Sequence, residues 1–425
     1  MDLYILQLID QFSDYETQWS LRQVCHDWSV SLEPIKLVGC WGTTPKPLSV
    51  VLTQSIKEIA QRACVCGWDR LLTHAIHLGF DEYETGLYDA SYGGHMSMVQ
   101  RMIDLGAHDL DNGLGMACLG GHVEIVQKMI DLGSSAFEIG LSHACMGGHH
   151  ALIQRMIRLG AHKWSRALHG ACVGGHLDIV KLIIQHNMDE MTAHGGLPLD
   201  WDQGLYGACL GGHVSVVQMM LDHGANDLES GFYFACEGGH LPIIQMLIQN
   251  GTNQWNMGLA GACYGGHRPI VELLITYGAD QWNRGLFWAC NGDHLDLMQM
   301  MSEHGADQYT QCLHVVKSDA VIQWLIQHGI NPENALVETC RIGSINTLKL
   351  WNKHGAENCS AGLENALVHG DLTIIEYLFQ HGADPNQGLT LACQLHRPEW
   401  LPFLRQHGAT TCQLCHLSID DHNHN

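Results

Sequence analysis

Apolar residues along most of this chain recur at helical spacing rather than in alternation. Val123, Ile125, Val126, Met129 and Ile130 make one stripe along a helix. Gly133 stands where a left-handed cap would end that helix. The ten residues before the stripe, Gly113-Leu114-Gly115-Met116-Ala117-Cys118-Leu119-Gly120-Gly121-His122, predict a shorter helix with a small apolar inner face. Ala117 and Cys118 are small enough for two helices to approach closely, and Gly120-Gly121 makes the turn between them. The pattern therefore predicts a helix–turn–helix unit.

The unit repeats. Gly-Gly-His ends at His95, His122, His149, His176, His213, His240 and His267, and Asn291-Gly292-Asp293-His294 continues the series. The step is 27 residues, except for 37 between His176 and His213. Eleven residues after each histidine comes a glycine, replaced once by Asn187. The same frame runs outward from Trp68 to Gly79, Ser318 to Gly329, Ser344 to Gly355, Asp371 to Gly382 and Arg397 to Gly408. Thirteen repeats over 56–410 result. One unit cannot bury its apolar stripe alone, so neighbours must stack into a continuous core. The ten surplus residues fall around 188–199, between repeats, and are expected as one long loop, either a contact finger or a tolerated insertion.

Composition changes this picture little. Ten of the 17 cysteines (Cys64, Cys118, Cys145, Cys172, Cys209, Cys236, Cys263, Cys290, Cys340 and Cys393) hold one register of the repeat. That regularity marks a small core residue rather than a disulfide framework. The start, Met1-Asp2-Leu3, lacks the basic stretch of a signal peptide, so a reducing, cytoplasmic compartment is expected. A net charge of −23 argues against nucleic acid and anionic membranes as partners. No run of about 18 apolar residues offers a membrane span.

Gly266-His267-Arg268-Pro269-Ile270-Val271-Glu272-Leu273-Leu274-Ile275-Thr276-Tyr277-Gly278-Ala279-Asp280 resembles the second half of an ankyrin repeat. The first half departs from that family. Its opening is Gly-Leu-x-x-Ala-Cys, and the period falls about six residues short of the family's. This shortened form is similar to the ankyrin families of large DNA viruses, which would make the compartment a host cytoplasm. The resemblance implies an all-α, ankyrin-type helix–turn–helix solenoid with shortened inter-repeat hairpins, whose concave face binds protein partners.

On that face the position three before each histidine varies: Tyr92, Leu119, Met146, Val173, Leu210, Glu237, Tyr264 and Asn291. A second variable column holds Tyr88, Tyr206, Tyr233 and Phe287, and Phe234 and Trp288 stand beside it. Aromatic side chains at such positions suit recognition, or else they pack between adjacent first helices. The repeating histidines suit helix ends and turns, since one ligand per repeat is too sparse for a metal.

The ends of the chain leave the repeat. Residues 1–32 carry an apolar helix with Leu3, Ile5, Leu6, Leu8 and Ile9, then Leu21-Arg22-Gln23-Val24-Cys25-His26-Asp27-Trp28. This segment resembles an F-box. The resemblance implies that those five residues with Leu21, Val24 and Trp28 dock the adaptor of a cullin–RING (SCF-type) ubiquitin ligase. The usual Leu-Pro opening is absent, and the alternative is a cap on the first repeat. A linker at 33–55 follows. The polar tail, 411–425, contains Cys412 and Cys415, which would be half of a zinc site.

No phosphate loop, nucleophile elbow or paired carboxylates mark an enzyme, and no cofactor is expected. Three functions remain. The first is a substrate receptor bridging a target protein to a ubiquitin ligase. The second is a binding scaffold or decoy with no ubiquitin link, and the weakest is a zinc module in the tail.

Overall fold

A computed structural model describes residues 57 and 59–412. The F-box-like segment with Leu3, Ile5, Leu6, Leu8, Ile9, Leu21, Val24 and Trp28, the linker at 33–55, and Cys415 lie outside the described residues. The chain divides into two compact units, 1–204 and 205–425. Within each, short helices alternate along the sequence as first and second members of a pair. Among the described residues there is no β-strand, only an isolated bridge at Thr411. No helix among them is long and apolar enough to cross a membrane.

In the unit read above, the first helix is Leu110–Gly120 and the second Val123–Asp131. The first buries Gly113, Leu114, Gly115, Ala117 and Cys118, and the second buries Ile125, Val126 and Met129. Ile130 is half-buried, and Val123 is 49% exposed. The buried stripe is thus narrower than the five apolar letters suggest, because Val123 begins the helix on its solvent side. The helix ends at Gly133 with φ 106°, as its position foretells. Nine of the ten registered cysteines are buried and Cys393 is partly exposed. No disulfide joins any of the ten among the described residues, and burial pushes the thiol of Cys118 up to about 12.

Gly-Gly-His does more than turn the chain. His149 lies at the N-terminal end of its repeat's second helix, and its Nε2 reaches back to the carbonyl of Leu119 at 3.0 Å. A carbonyl can only accept, so this ring nitrogen carries the proton. The same 30-residue tie joins His122 to Tyr92, His176 to Met146, His240 to Leu210, His267 to Glu237 and His294 to Tyr264. Both glycines are fixed by these neighbours. A Cβ on Gly120 would lie 2.2 Å from the Tyr92 carbonyl oxygen. One on Gly121, where φ is +81°, would lie 2.5 Å from the ring of His149.

Later repeats lose the histidine and change the device. Ser318, Ser344 and Asp371 accept from amides of their own second helices, as N-caps do. Other groups take over the tie: Lys317 donates to the Asn291 carbonyl at 2.9 Å, and Thr347 to that of Val316 at 3.1 Å.

Side chains also do the work of the missing hairpins. One acceptor early in the first helix takes two consecutive amides of the next inter-repeat turn. Glu84 accepts from His108 and Asp109, and Glu138 from His162 and Lys163. Asn256 accepts from Asp280 and Gln281, and Glu333 from Glu357 and Asn358. Amides that would otherwise need a strand partner are satisfied by one oxygen-bearing side chain per turn.

The surplus near 188–199 is not the long loop expected. The second helix of that repeat runs on as Leu177–His194, 18 residues in place of nine. Asn187, which replaces the terminating glycine, stays helical and is buried, and its side-chain amide donates to the Leu197 carbonyl at 2.9 Å. The added turns lean on their own repeat, with Trp164 stacked on His186 at 5.4 Å and its ring nitrogen donating to Glu190. Without glycine nothing stops the helix until Gly195, where φ is 69°.

Candidate protein-binding face

Each first helix buries one side against its neighbours and leaves two varying positions, one turn apart, on the other. Tyr88 and Tyr92, Tyr206 and Leu210, Tyr233 and Glu237, and Phe287 and Asn291 are such pairs. Tyr92 is 44% exposed, while the others, with Leu119, Met146 and Tyr264, are half-buried. The tie described above explains the column three before each histidine, from Tyr92 to Tyr264. Its backbone oxygens are engaged by the next histidine, so the register is fixed while the side chain stays free to vary.

In 205–425 the aromatic members of this face meet. Tyr206 packs on Phe234 at 5.3 Å, and Phe234 on Tyr233 at 5.3 Å. Trp288 takes Tyr233 at 5.9 Å, Tyr264 at 5.7 Å and Phe287 at 5.4 Å, all edge-on. Six rings from four successive repeats form one run. Glycines alternate with the large residues in this register, Gly207 and Gly261 with Phe234 and Trp288, and a Cβ on Gly261 would lie 2.3 Å from the Tyr233 carbonyl oxygen, so the two first helices approach closely there. Phe234 and Trp288 thus pack between first helices, as the packing alternative expects, while each keeps part of its ring exposed. A cleft of about 540 Å³ beside Phe287 is lined by Trp282, Arg284, Gln308 and Gln311.

The tyrosine hydroxyls differ in their engagement. Tyr88 donates to Asp109 and Tyr206 to Asp227, and each aspartate also caps the following first helix. Burial would raise both carboxyls, but the tyrosine and the capped amides outweigh it and hold them below the ordinary aspartate value. At the corresponding position after Tyr233 stands Gln254, whose amide donates to Glu229 instead. Sequence reading passed over these aspartates; the signal was a tyrosine followed by aspartate 21 residues on, twice. Tyr88 and Tyr92 belong to the other unit and join no such run.

Among the described residues no group of three or more His, Cys, Asp or Glu could hold a metal ion. Cys412 is 1% exposed, so it belongs to the packed end of the last repeat rather than to a free tail.

Known proteins resemble part of this chain. A family model described as ankyrin repeats in three copies matches residues 114–194 and 141–228. No curated protein matches the chain. Among solved structures, the ankyrin repeat domain of human ASB11 is 24% identical, covering 45% of this chain and 98% of its own, with a TM-score of 0.28. The pentatricopeptide repeat protein PPR10, in complex with an 18-nt psaJ RNA element, is 14% identical over 86% of this chain and 66% of its own, with a TM-score of 0.27. The chain is an all-α protein of stacked helix–turn–helix units of ankyrin type, and the ankyrin repeats matched within 114–228 indicate a protein–protein interaction scaffold.

Proposed function

We propose that this chain is a substrate receptor, which captures a protein on the first-helix face of 205–425 and bridges it, through residues 1–32, to a cullin–RING ubiquitin ligase in the cytoplasm. The observation that carries the capture half is the run of six half-exposed rings from Tyr206 to Trp288. Rigid aromatics give large contact area at little entropic cost, and they concentrate binding energy where they cluster. The bridging half rests on the F-box-like letters Leu21 to Trp28. The test is a pulldown against purified ligase adaptor, using the full chain and a version lacking 1–32. Binding by the full chain alone supports the receptor. Binding by neither removes the ubiquitin link and leaves a plain scaffold or decoy.

A further inference from the structure

Near the middle of the aromatic run sits the carboxylate of Glu237, which has no partner among the described residues. Glu237 follows Tyr233 by one turn on the helix Leu228–Glu237, and Tyr264 occupies Glu237's register in the next repeat. Tyr233 and Tyr264 both meet the ring of Trp288, at 5.9 and 5.7 Å. Burial raises the Tyr233 hydroxyl above its ordinary value, and the Glu237 carboxylate and Tyr264 hydroxyl facing it add to that. Burial likewise raises Glu237. Among the described residues, no hydrogen bond or ion pair engages the Glu237 carboxylate or the hydroxyls of Tyr233 and Tyr264. Arg284 faces Tyr233, but its Nη2 lies 2.9 Å from the Met257 sulfur, and it is not among the groups that shift Glu237.

Two other carboxylates in this unit that are drawn in from solvent are engaged by the protein itself. Asp227 caps a helix and accepts from Tyr206, and buried Asp319 is held by Lys353 and His354. A half-desolvated carboxylate flanked by aromatic rings attracts a cation twice, through charge in a lowered dielectric and through the ring faces. A guanidinium satisfies both, because it is planar, stacks and pairs with carboxylate. The chain's net charge of −23 favours a basic partner as well.

We propose that Glu237, Tyr233, Tyr264 and Trp288 form a seat for a cationic side chain, foremost an arginine, presented by the protein that docks on this face. The proposal rests on the capture half of the proposed function, and it can fail while the adaptor pulldown succeeds. The experiment titrates a labelled (Gly-Arg)4 peptide and its neutral (Gly-citrulline)4 counterpart into the full chain, its Glu237→Gln variant and its Glu272→Gln variant. Glu272 is an exposed partner of Arg268 on a second helix, so both variants lose the same charge. The expected result is a preference for arginine over citrulline of about tenfold in the parent chain. That preference falls to about twofold or less in Glu237→Gln and persists in Glu272→Gln. Equal weakening by both variants would mean diffuse attraction and overturn the seat. So would equal binding of the two peptides, or no binding at all.

Discussion

One position, the residue that opens each second helix, shows how a single letter changes what a side chain holds together. As histidine it reaches back 30 residues to the previous repeat; as Ser344 or Asp371 it caps its own helix. His149→Ala should cost about 1 kcal/mol through the lost tie, and Ser344→Ala about the same through the lost cap. Urea denaturation would measure both. The glycines separate strain from collision. Gly133 has φ +106° with open space around it, so Gly133→Ala should cost about 1–2 kcal/mol of strain alone. Gly147→Ala, whose Cβ would lie 2.2 Å from the Leu119 carbonyl oxygen, should cost about 3 kcal/mol, because backbone cannot yield as a side chain can. Asp319 adds a pH dependence. Burial pushes its carboxyl up, but Lys353 and His354 outweigh this and hold it below the ordinary value. A depressed carboxyl stabilises the fold above its unfolded pKa, about 3.9, and that contribution is lost as pH falls through the lower folded value. The stability of Asp319→Asn should therefore fall less steeply than that of the parent chain below about pH 4. An equal slope in the two, followed by thermal melts, would show that this carboxylate is not responsible.

At the scale of elements, what could be read from sequence was whatever one residue type repeats. The Leu-x-x-Ala-Cys register and the Gly-Gly-His spacing gave the helices, the core and the period. The turn ties were not readable, because their acceptor changes among Glu84, Asn256 and Glu333 while their donors are backbone amides, which have no letter. Val123 misled because an apolar letter at a helix start can face water. The insertion misled because ten residues beyond the period suggested a loop, although 188–194 contain no helix breaker. On the candidate face the variable columns were legible, but the joining of six rings was not, because it depends on how closely successive first helices approach, as at Gly261. Removing Met188–Leu197 and replacing Asn187 by glycine would restore the 27-residue step and the missing terminator. Such a chain should fold with about two turns less helix by circular dichroism and a Tm within a few degrees of the parent. Loss of cooperative melting would show instead that the added turns are needed for the fold.

At the scale of the whole molecule, stability is distributed along each stack rather than concentrated in one centre. Leu247 is fully buried in a second helix of 205–425, so Leu247→Ala should cost about 2–5 kcal/mol. Its effect should be local. Hydrogen exchange should rise most in that repeat and its two neighbours and fade along the unit, whereas a uniform rise throughout 205–425 would indicate a single cooperative core. The fixed reach of the histidine tie carries a consequence for inheritance. Where the donor always finds its acceptor 30 residues behind, duplicating or excising one 27-residue segment regenerates every pairing at the new junction. Unequal recombination within the gene can thus lengthen or shorten the array without a damaged intermediate, leaving the variable columns to diverge in the copies. Changes of any other length would break that register unless they are absorbed at the end of a helix, as the ten residues after Asn187 are.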